Sequence, residues 1–399
     1  MTRSIWLDQT DQRPGRGEAG RADVVIVGGG LLGACLAYHL SRRRGLSVIL
    51  LESGALAGAS SGRNAGFVLR GIQTYYNECV RRFGRDRAHS IYSFVQESQS
   101  MLREFAEKEG VGLDTRGSYL LAASIEELEE LEESSQLMKE DGFEVEFLKD
   151  DPLDRDYYGA LYNPCDFGIN PVELVRRLLA SASEQEGLTV REGEHVLRIT
   201  RDGQEGPLTV HSVGSAYNCD RVLFATNAYS SLIDDWFEDK FHTARGQILV
   251  TEPLEKEVVD RLCYANYGWV YFRQLPDRRF LLGGRRQLFL NEEVGYADII
   301  TPSVQAALEE YLRDYFPEVV GAAIDYRFSG VMAYTRDGLP LLGEHPELKG
   351  LFFALGFNGH GLGYAMNMAS HLISVAMDGA EPGLFDAERE GLDQDSDQA

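Results

Sequence analysis

The pattern of apolar and polar positions changes abruptly near residue 22. Residues 1–21 are polar and rich in Gly, Arg and Asp, and read as an arm that Trp6 could anchor. Val24-Val25-Ile26-Val27 is then a β-branched run of the kind that forms a strand buried on both faces. Leu36, Ala37 and Leu40 recur at helical spacing within 34–43, and Val48-Ile49-Leu50-Leu51 makes a second strand that ends in Glu52. The spacing predicts a strand–turn–helix–strand unit of about 30 residues.

Further along, helical periodicity covers 91–109, 125–140 and 172–186, the last opened by Asn170-Pro171. Strands are predicted at 188–190, 208–212 and 221–225. From 246 to 284, alternation broken by turn residues predicts an antiparallel sheet. Leu351-Phe352-Phe353-Ala354-Leu355 reads as another buried strand, running through Gly356-Phe357-Asn358-Gly359-His360-Gly361 into a helix over 362–377. Residues 383–399 are acidic, lack an apolar period and read as a tail. The chain shows no internal repeat.

Composition narrows the class. With 399 residues, 44% hydrophobic and 26% charged, the chain reads as a soluble globular protein of two or three domains. No stretch approaches the length of a membrane span, and the start has no apolar segment with a small-residue cleavage site. Five cysteines lie far apart without a C-x-x-C pair, which predicts reduced thiols in a cytoplasmic protein, with neither a disulfide frame nor a zinc or other metal site. The charge of −24, from 39 Lys+Arg against 63 Asp+Glu, repels phosphate backbones and argues against nucleic acid as a partner. The run EELEELEESS reads as a solvated helix face.

Candidate chemistry begins at Gly28, Gly30 and Gly33. This G-x-G-x-x-G follows a strand and opens a helix, and Glu52 stands at the end of the next strand, the context of a dinucleotide site. Gly28 permits the tight turn, Gly30 the approach of a pyrophosphate, and Gly33 the packing of helix on strand, while Glu52 would accept from ribose hydroxyls. The βαβ pattern does not continue. A second small-residue loop, Gly58 to Phe67, follows instead and suits a long ligand needing many backbone contacts. A strand ending in small residues at 222–228 and the Gly-rich turn at 356–361 add two more approaches. Ligand loops at both ends of the chain require a discontinuous nucleotide domain.

These residues resemble the FAD-dependent D-amino acid oxidase (DAO) superfamily, which includes glycine oxidase, sarcosine oxidase and γ-glutamylputrescine oxidase. The resemblance spans about 4–382 and rests on DVVIVGGGLLG with Glu52, GASSGRNAGF, LFATNAYS, RGQILVTEP, YFRQLPDRRFLLGGR, SGVMAYTRDGLPLLG and GFNGHGLGYAMN. SSGRNAGF, SIWLDQ and VMAYTRDGLPLLG are most similar to the γ-glutamylputrescine oxidase-like branch. It implies a DAO-like two-domain fold, α/β plus α+β. A discontinuous Rossmann-like FAD domain would comprise 22–80, 169–240 and 327–382, and a mixed or antiparallel-sheet substrate domain 81–168 and 241–326. It further implies oxidation of the C–N bond of an amine or amino acid by hydride transfer to flavin N5, hydrolysis of the resulting imine, and reoxidation by O2 or another acceptor. Two alternatives remain at this point: an FAD-dependent 2-hydroxy acid or polyol-phosphate dehydrogenase, and a flavin-binding subunit of a heteromeric or oligomeric amine dehydrogenase.

Carried over by position, Gly28, Gly30, Gly33 and Glu52 correspond to contacts with the AMP half, with Leu31, Leu32 and Ser53 beside them. Ser60, Ser61, Arg63, Asn64, Ala65 and Gly66 correspond to contacts along the pyrophosphate and flavin. Val196 takes the adenine side with Thr226 and Asn227 nearby, Gly359, His360 and Gly361 the flavin pyrimidine edge, and Asp337 orients the loop beside the ring. The covalent attachment residues and substrate lysine of sarcosine oxidases are absent, which implies noncovalent FAD. Candidate roof residues are Arg245, Tyr264, Tyr267, Trp269, Tyr271 and Arg273. On one strand face Trp269, Tyr271 and Arg273 would point at the ring together, with Arg273 gripping a carboxylate and Tyr271 and His360 beside the reacting atoms.

Overall fold

The computed structural model describes Thr2 and residues 4–8, 20–203 and 206–389. The portions of the expected arm and acidic tail at 9–19 and 390–399 lie outside the described residues.

Gly20–Val27 is the centre of a sheet whose parallel strands run in the order Leu351–Leu355, Ser215–Phe224, Gly20–Val27, Val48–Glu52 and Leu188–Glu192. The β-branched run forms this central strand because both faces are covered: Val24 and Ile26 feed one hydrophobic core, Val25 and Val27 the core on the other side. Helices Leu31–Leu40, Pro171–Ser183 and Gly361–Asp378 pack together on the first of these faces. Leu208–Ser212 and Val196–Arg201 extend the sheet antiparallel from Ser215–Phe224.

The second sheet runs Ile324–Tyr334, His242–Pro253, Arg279–Gly284, Val270–Gln274, Leu262–Ala265, Ser118–Leu121, Ala160–Asn163 and Glu146–Leu148. All its pairs are antiparallel except Leu262–Ala265 with Ser118–Leu121. Residue 327 therefore falls inside a strand of this sheet. Helix Pro302–Tyr315, with the Phe316 that caps it, covers its outer face over Phe272 and Phe280. A small third sheet, made of Phe67–Val68, Phe167–Ile169 and Leu113–Asp114, meets the second sheet at Arg273.

Local signals explain the helix ends. Ser124 accepts the Glu127 N–H to start Ile125–Glu140, and Asn170 accepts from Val172 and Glu173 with Pro171 next in line. The helix expected over 91–109 begins at Arg85, because Gly84 releases the chain and the polar first turn carries no apolar period. Among the described residues no helix is long and apolar enough to cross a membrane.

Candidate functional site

A cavity of about 2150 Å³ runs between the two large sheets. Its first end is built on the glycine turn. Gly28 has φ +112°, and a Cβ there would stand 2.7 Å from the Ala225 carbonyl oxygen; one on Gly30 would stand 2.8 Å from Ser61 Oγ. Side chains would fill the space that these two glycines open to the cavity. Gly33 lies behind the wall, where a Cβ would overlap the Gly28 carbonyl, so its role is close packing of helix against turn. Leu31 and Leu32 line the cavity at the helix start. The N–H groups of residues 31–33 precede the first intrahelical bond, and that of Leu31 donates to Ser61 Oγ at 2.8 Å. Glu52 accepts from the Gly29 N–H at 2.7 Å, the Gly54 N–H at 2.8 Å and the Ser53 hydroxyl at 3.1 Å. That leaves its carboxylate facing the cavity with lone pairs to spare. Val196 lines this same end.

Ser60, Ser61, Arg63, Asn64 and Ala65 line the next stretch. Asn64 organises this loop, donating to the carbonyls of Ser60 and Ser61 and accepting the Gly66 N–H. Gly66 itself is behind the wall: with φ +72°, a Cβ would collide with the Ile169 carbonyl. The Arg63 guanidinium is engaged by Gly58 O, Thr2 and Asp298, which line the cavity with it. Ser4 and Trp6 reach the same loop through Gly62 O and Asn64 O, so the short helix Ile5–Asp8 is fastened to it.

Thr226 stands beside the glycine turn, its N 3.4 Å from where a Cβ on Gly28 would be, and lines the cavity with Asn227, whereas Gly359, His360 and Gly361 line the far end. Asn227 accepts the Gly356 N–H at 2.9 Å, which ties the two turns together. His360 packs its Nδ1 3.1 Å from the Asn358 carbonyl, an arrangement that assigns the proton to Nδ1 and leaves Nε2 as an acceptor. Burial holds this imidazole below its usual range, so it is neutral. Asp337 does not reach the cavity. It accepts the Leu339 N–H and pairs with Arg389, fixing the turn from outside.

The roof departs from the expected single face. Strand Val270–Gln274 begins after Trp269, which sits in a turn with Asn266 and Tyr267 at positive φ. Trp269, Tyr271, Tyr264 and Tyr267 line the cavity, whereas Arg273 and Arg245 do not. Arg273 shares a face with Tyr271, but the small third sheet covers that end of the strand. Its guanidinium lies against Gly168, donates to Gly66 O at 3.1 Å and pairs with Asp114 at 3.3 Å; burial pulls its pKa down to about 10. Arg245 is 2% exposed and braces the turn at 292–297 through Glu293 and three carbonyls. Burial raises the pKa of both the Tyr264 and Tyr271 hydroxyls, which stay protonated.

The structure also brings His242, Arg286, Met332 and Tyr334 to this wall. Periodicity could not place Arg286, which follows the glycine pair ending Arg279–Gly284 in a turn whose first residue, Arg285, is left-handed.

The donor set fits an extended dinucleotide with an aromatic ring system: a glycine cradle and a helix N-terminus for phosphates, a carboxylate for hydroxyls, and backbone turns for a flat ring. The model of the family "DAO: FAD dependent oxidoreductase" matches residues 23–374. The chain is 26% identical to a probable oxidoreductase OrdL of Haemophilus influenzae, covering 96% of this chain and 89% of that one. It is 25% identical to the γ-glutamylputrescine oxidoreductase of Escherichia coli, covering 92% and 84%. Among solved structures, glycine oxidase from Geobacillus kaustophilus superposes with a TM-score of 0.76 at 22% identity, over 92% of this chain and 97% of that one. L-proline dehydrogenase from P. horikoshii gives 0.77 at 20%, with the same coverage.

Proposed function

Because the chain belongs to the DAO family of FAD-dependent oxidoreductases, we propose that it oxidises the C–N bond of an amine or amino acid to an imine that water hydrolyses. FAD, when bound, would supply the hydride acceptor at N5 and the route by which electrons leave for O2 or another acceptor. The carrying observation is the character of the far end of the cavity, where neutral His360 and the protonated hydroxyls of Tyr264 and Tyr271 meet an apolar aromatic wall.

Such a pocket favours the neutral form of an amine, whose nitrogen lone pair must be free for the bond to be oxidised. His360 Nε2 accepts a hydrogen from the substrate nitrogen, and the tyrosines exclude water and orient the C–H bond. The residues for the cofactor are Gly28, Gly30, Leu31, Leu32, Glu52, Ser53, Val196, Thr226 and Asn227 at the nucleotide end and the backbone of 60–65 and 359–361 toward the ring. Gly33, Gly66 and Asp337 act from behind, by packing and by fixing turns. The nucleotide domain takes up the segments around the parallel sheet and the substrate domain those around the second sheet, with the last boundary after Tyr334. FAD is held noncovalently, a reading supported by the fact that none of the five free cysteines lines the cavity. Reduced thiols also support a cytoplasmic location. The 2-hydroxy acid alternative draws no support from the relatives named above.

Anaerobic titration of the purified yellow protein with amines, amino acids and hydroxy acids tests the reading. Bleaching of the visible flavin band by an amine, with all flavin released by acid precipitation, is the expected result. A band bleached only by hydroxy acids would overturn the substrate class, and flavin that stays with the precipitate would overturn the noncovalent attachment.

A further inference from the structure

Four side chains form a continuous stack along the cavity wall beside the 356–361 turn. The Arg286 guanidinium lies over two rings, 4.4 Å from the centre of Trp269 and 4.8 Å from that of Tyr334. Tyr334 stacks in turn on His242, 5.5 Å between centroids at 19°. The Tyr334 hydroxyl stands 3.2 Å from where a Cβ on Gly359 would be, so the stack begins against that turn.

A guanidinium held over two aromatic rings keeps its N–H donors for another partner. No carboxylate, carbonyl or hydroxyl among the described residues accepts from the Arg286 side chain. The other arginines of the cavity are engaged. Arg63 pairs with Asp298, Arg70 donates to Gln96, Glu144 O and Asn163, Arg82 donates to the Asp337 carbonyl, and Arg336 has a partner as well. In a chain of net charge −24, a cation facing a cavity without a neutralising carboxylate is out of keeping with its surroundings. Its charge reaches inward, adding to burial in holding His242 below its usual range.

We propose that Arg286 is a specificity-determining residue whose N–H edge receives a carboxylate of the substrate, so that the amine oxidised here also carries an anionic group. The fork of N–H donors matches the two oxygens of a carboxylate. Contact with Trp269 and Tyr334 restrains the fork before any ligand arrives, so less side-chain freedom is lost on binding. This role fills the place that Arg273 cannot take, since its guanidinium is spent on Asp114 and Gly66. The inference rests on the reading that the cavity oxidises an amine.

The test uses the holoenzyme and ligands that need no turnover: acetate, benzoate and succinate, with acetamide and benzamide as neutral counterparts. Binding is read by perturbation of the flavin band and independently by calorimetry. Benzoate is expected to bind, and Arg286→Gln to weaken it by about tenfold to a hundredfold while benzamide changes little. Arg286→Lys should retain part of the affinity. Failure of every carboxylate to bind the wild-type protein, or equal weakening of benzoate and benzamide in Arg286→Gln, would overturn the proposal. Carboxylate selectivity through Arg286 in a protein that no amine can bleach would instead preserve the subsite and defeat the amine reading.

Discussion

Arg273 meets Asp114 at 3.3 Å behind the cavity wall, and Asp114 is held at the same time by Arg116 at 2.8 Å. The pair joins the second sheet to the small sheet at the junction, with Arg273 only 2% exposed. Replacing Arg273 by Met leaves Asp114 with its other partner, so the cost falls below that of an isolated buried charge. A loss of about 2 kcal/mol in unfolding free energy is expected, with KM for substrate changed less than about twofold. Urea denaturation and steady-state kinetics read the two. A large KM increase at unchanged stability would restore Arg273 to the substrate.

The glycine turn should be far less tolerant. Gly28→Val places a branched side chain at φ +112° against the Ala225 carbonyl and blocks the space for the phosphates. The variant is expected to purify without its yellow colour, and saturating FAD should not restore the visible band. Full flavin content in this variant would contradict the placement of the nucleotide.

Trp6 fastens the short N-terminal helix to the cofactor loop through the Asn64 carbonyl at 2.7 Å, and it is 5% exposed. Trp6→Ala removes that bond and a large buried ring, at a cost of about 3 kcal/mol. Because the loop carries Ser60 to Ala65, FAD should also dissociate faster. Stopped-flow release into apo-flavodoxin would show it. An unchanged release rate alongside lowered stability would confine Trp6 to packing.

His345 supplies a pH dependence. Its Nδ1 accepts the Glu347 and Leu348 N–H groups at 3.2 and 3.1 Å, and burial holds its pKa below the usual 6.5. The unfolded chain takes up a proton near 6.5 that the folded chain refuses, so stability is present above that pH and is lost as pH falls below it. The slope is about 1.4 kcal/mol per pH unit for one such group. His345→Asn keeps an acceptor for the turn and should flatten the fall below pH 6.5, by at most one proton. An equally steep fall in the variant would assign it to other groups.

What the sequence made legible was local. The central strand, its glycine turn and Glu52 could be read because period, turn chemistry and acid spacing coincide within one unit. Ile125–Glu140 emerged with its bounds intact because Ser124 caps it. Arg273 was misjudged for a tertiary reason: the small sheet that claims it is built from strands of two or three residues, 113–114 and 167–169 among them, too short to show any alternation. Arg286 carried no signal at all, since its neighbours Trp269 and Tyr334 come from other strand ends, 17 and 48 residues away. Helix Tyr76–Phe83 carries Tyr76, Cys79, Val80 and Phe83 at helical spacing, but its eight residues make only about two turns, too short for the period to stand out.

The cavity draws its walls from Thr2 at one end of the described chain and from the helix Gly361–Asp378 at the other. During synthesis, therefore, no partial product owns a flavin site. The ribosome has to deliver Leu351–Leu355 and the turn after it before the parallel sheet gains its last strand and the cavity the wall at 356–361. Cofactor loading is in this sense a final inspection: a chain that has taken up FAD has been made through residue 361 and folded from both ends.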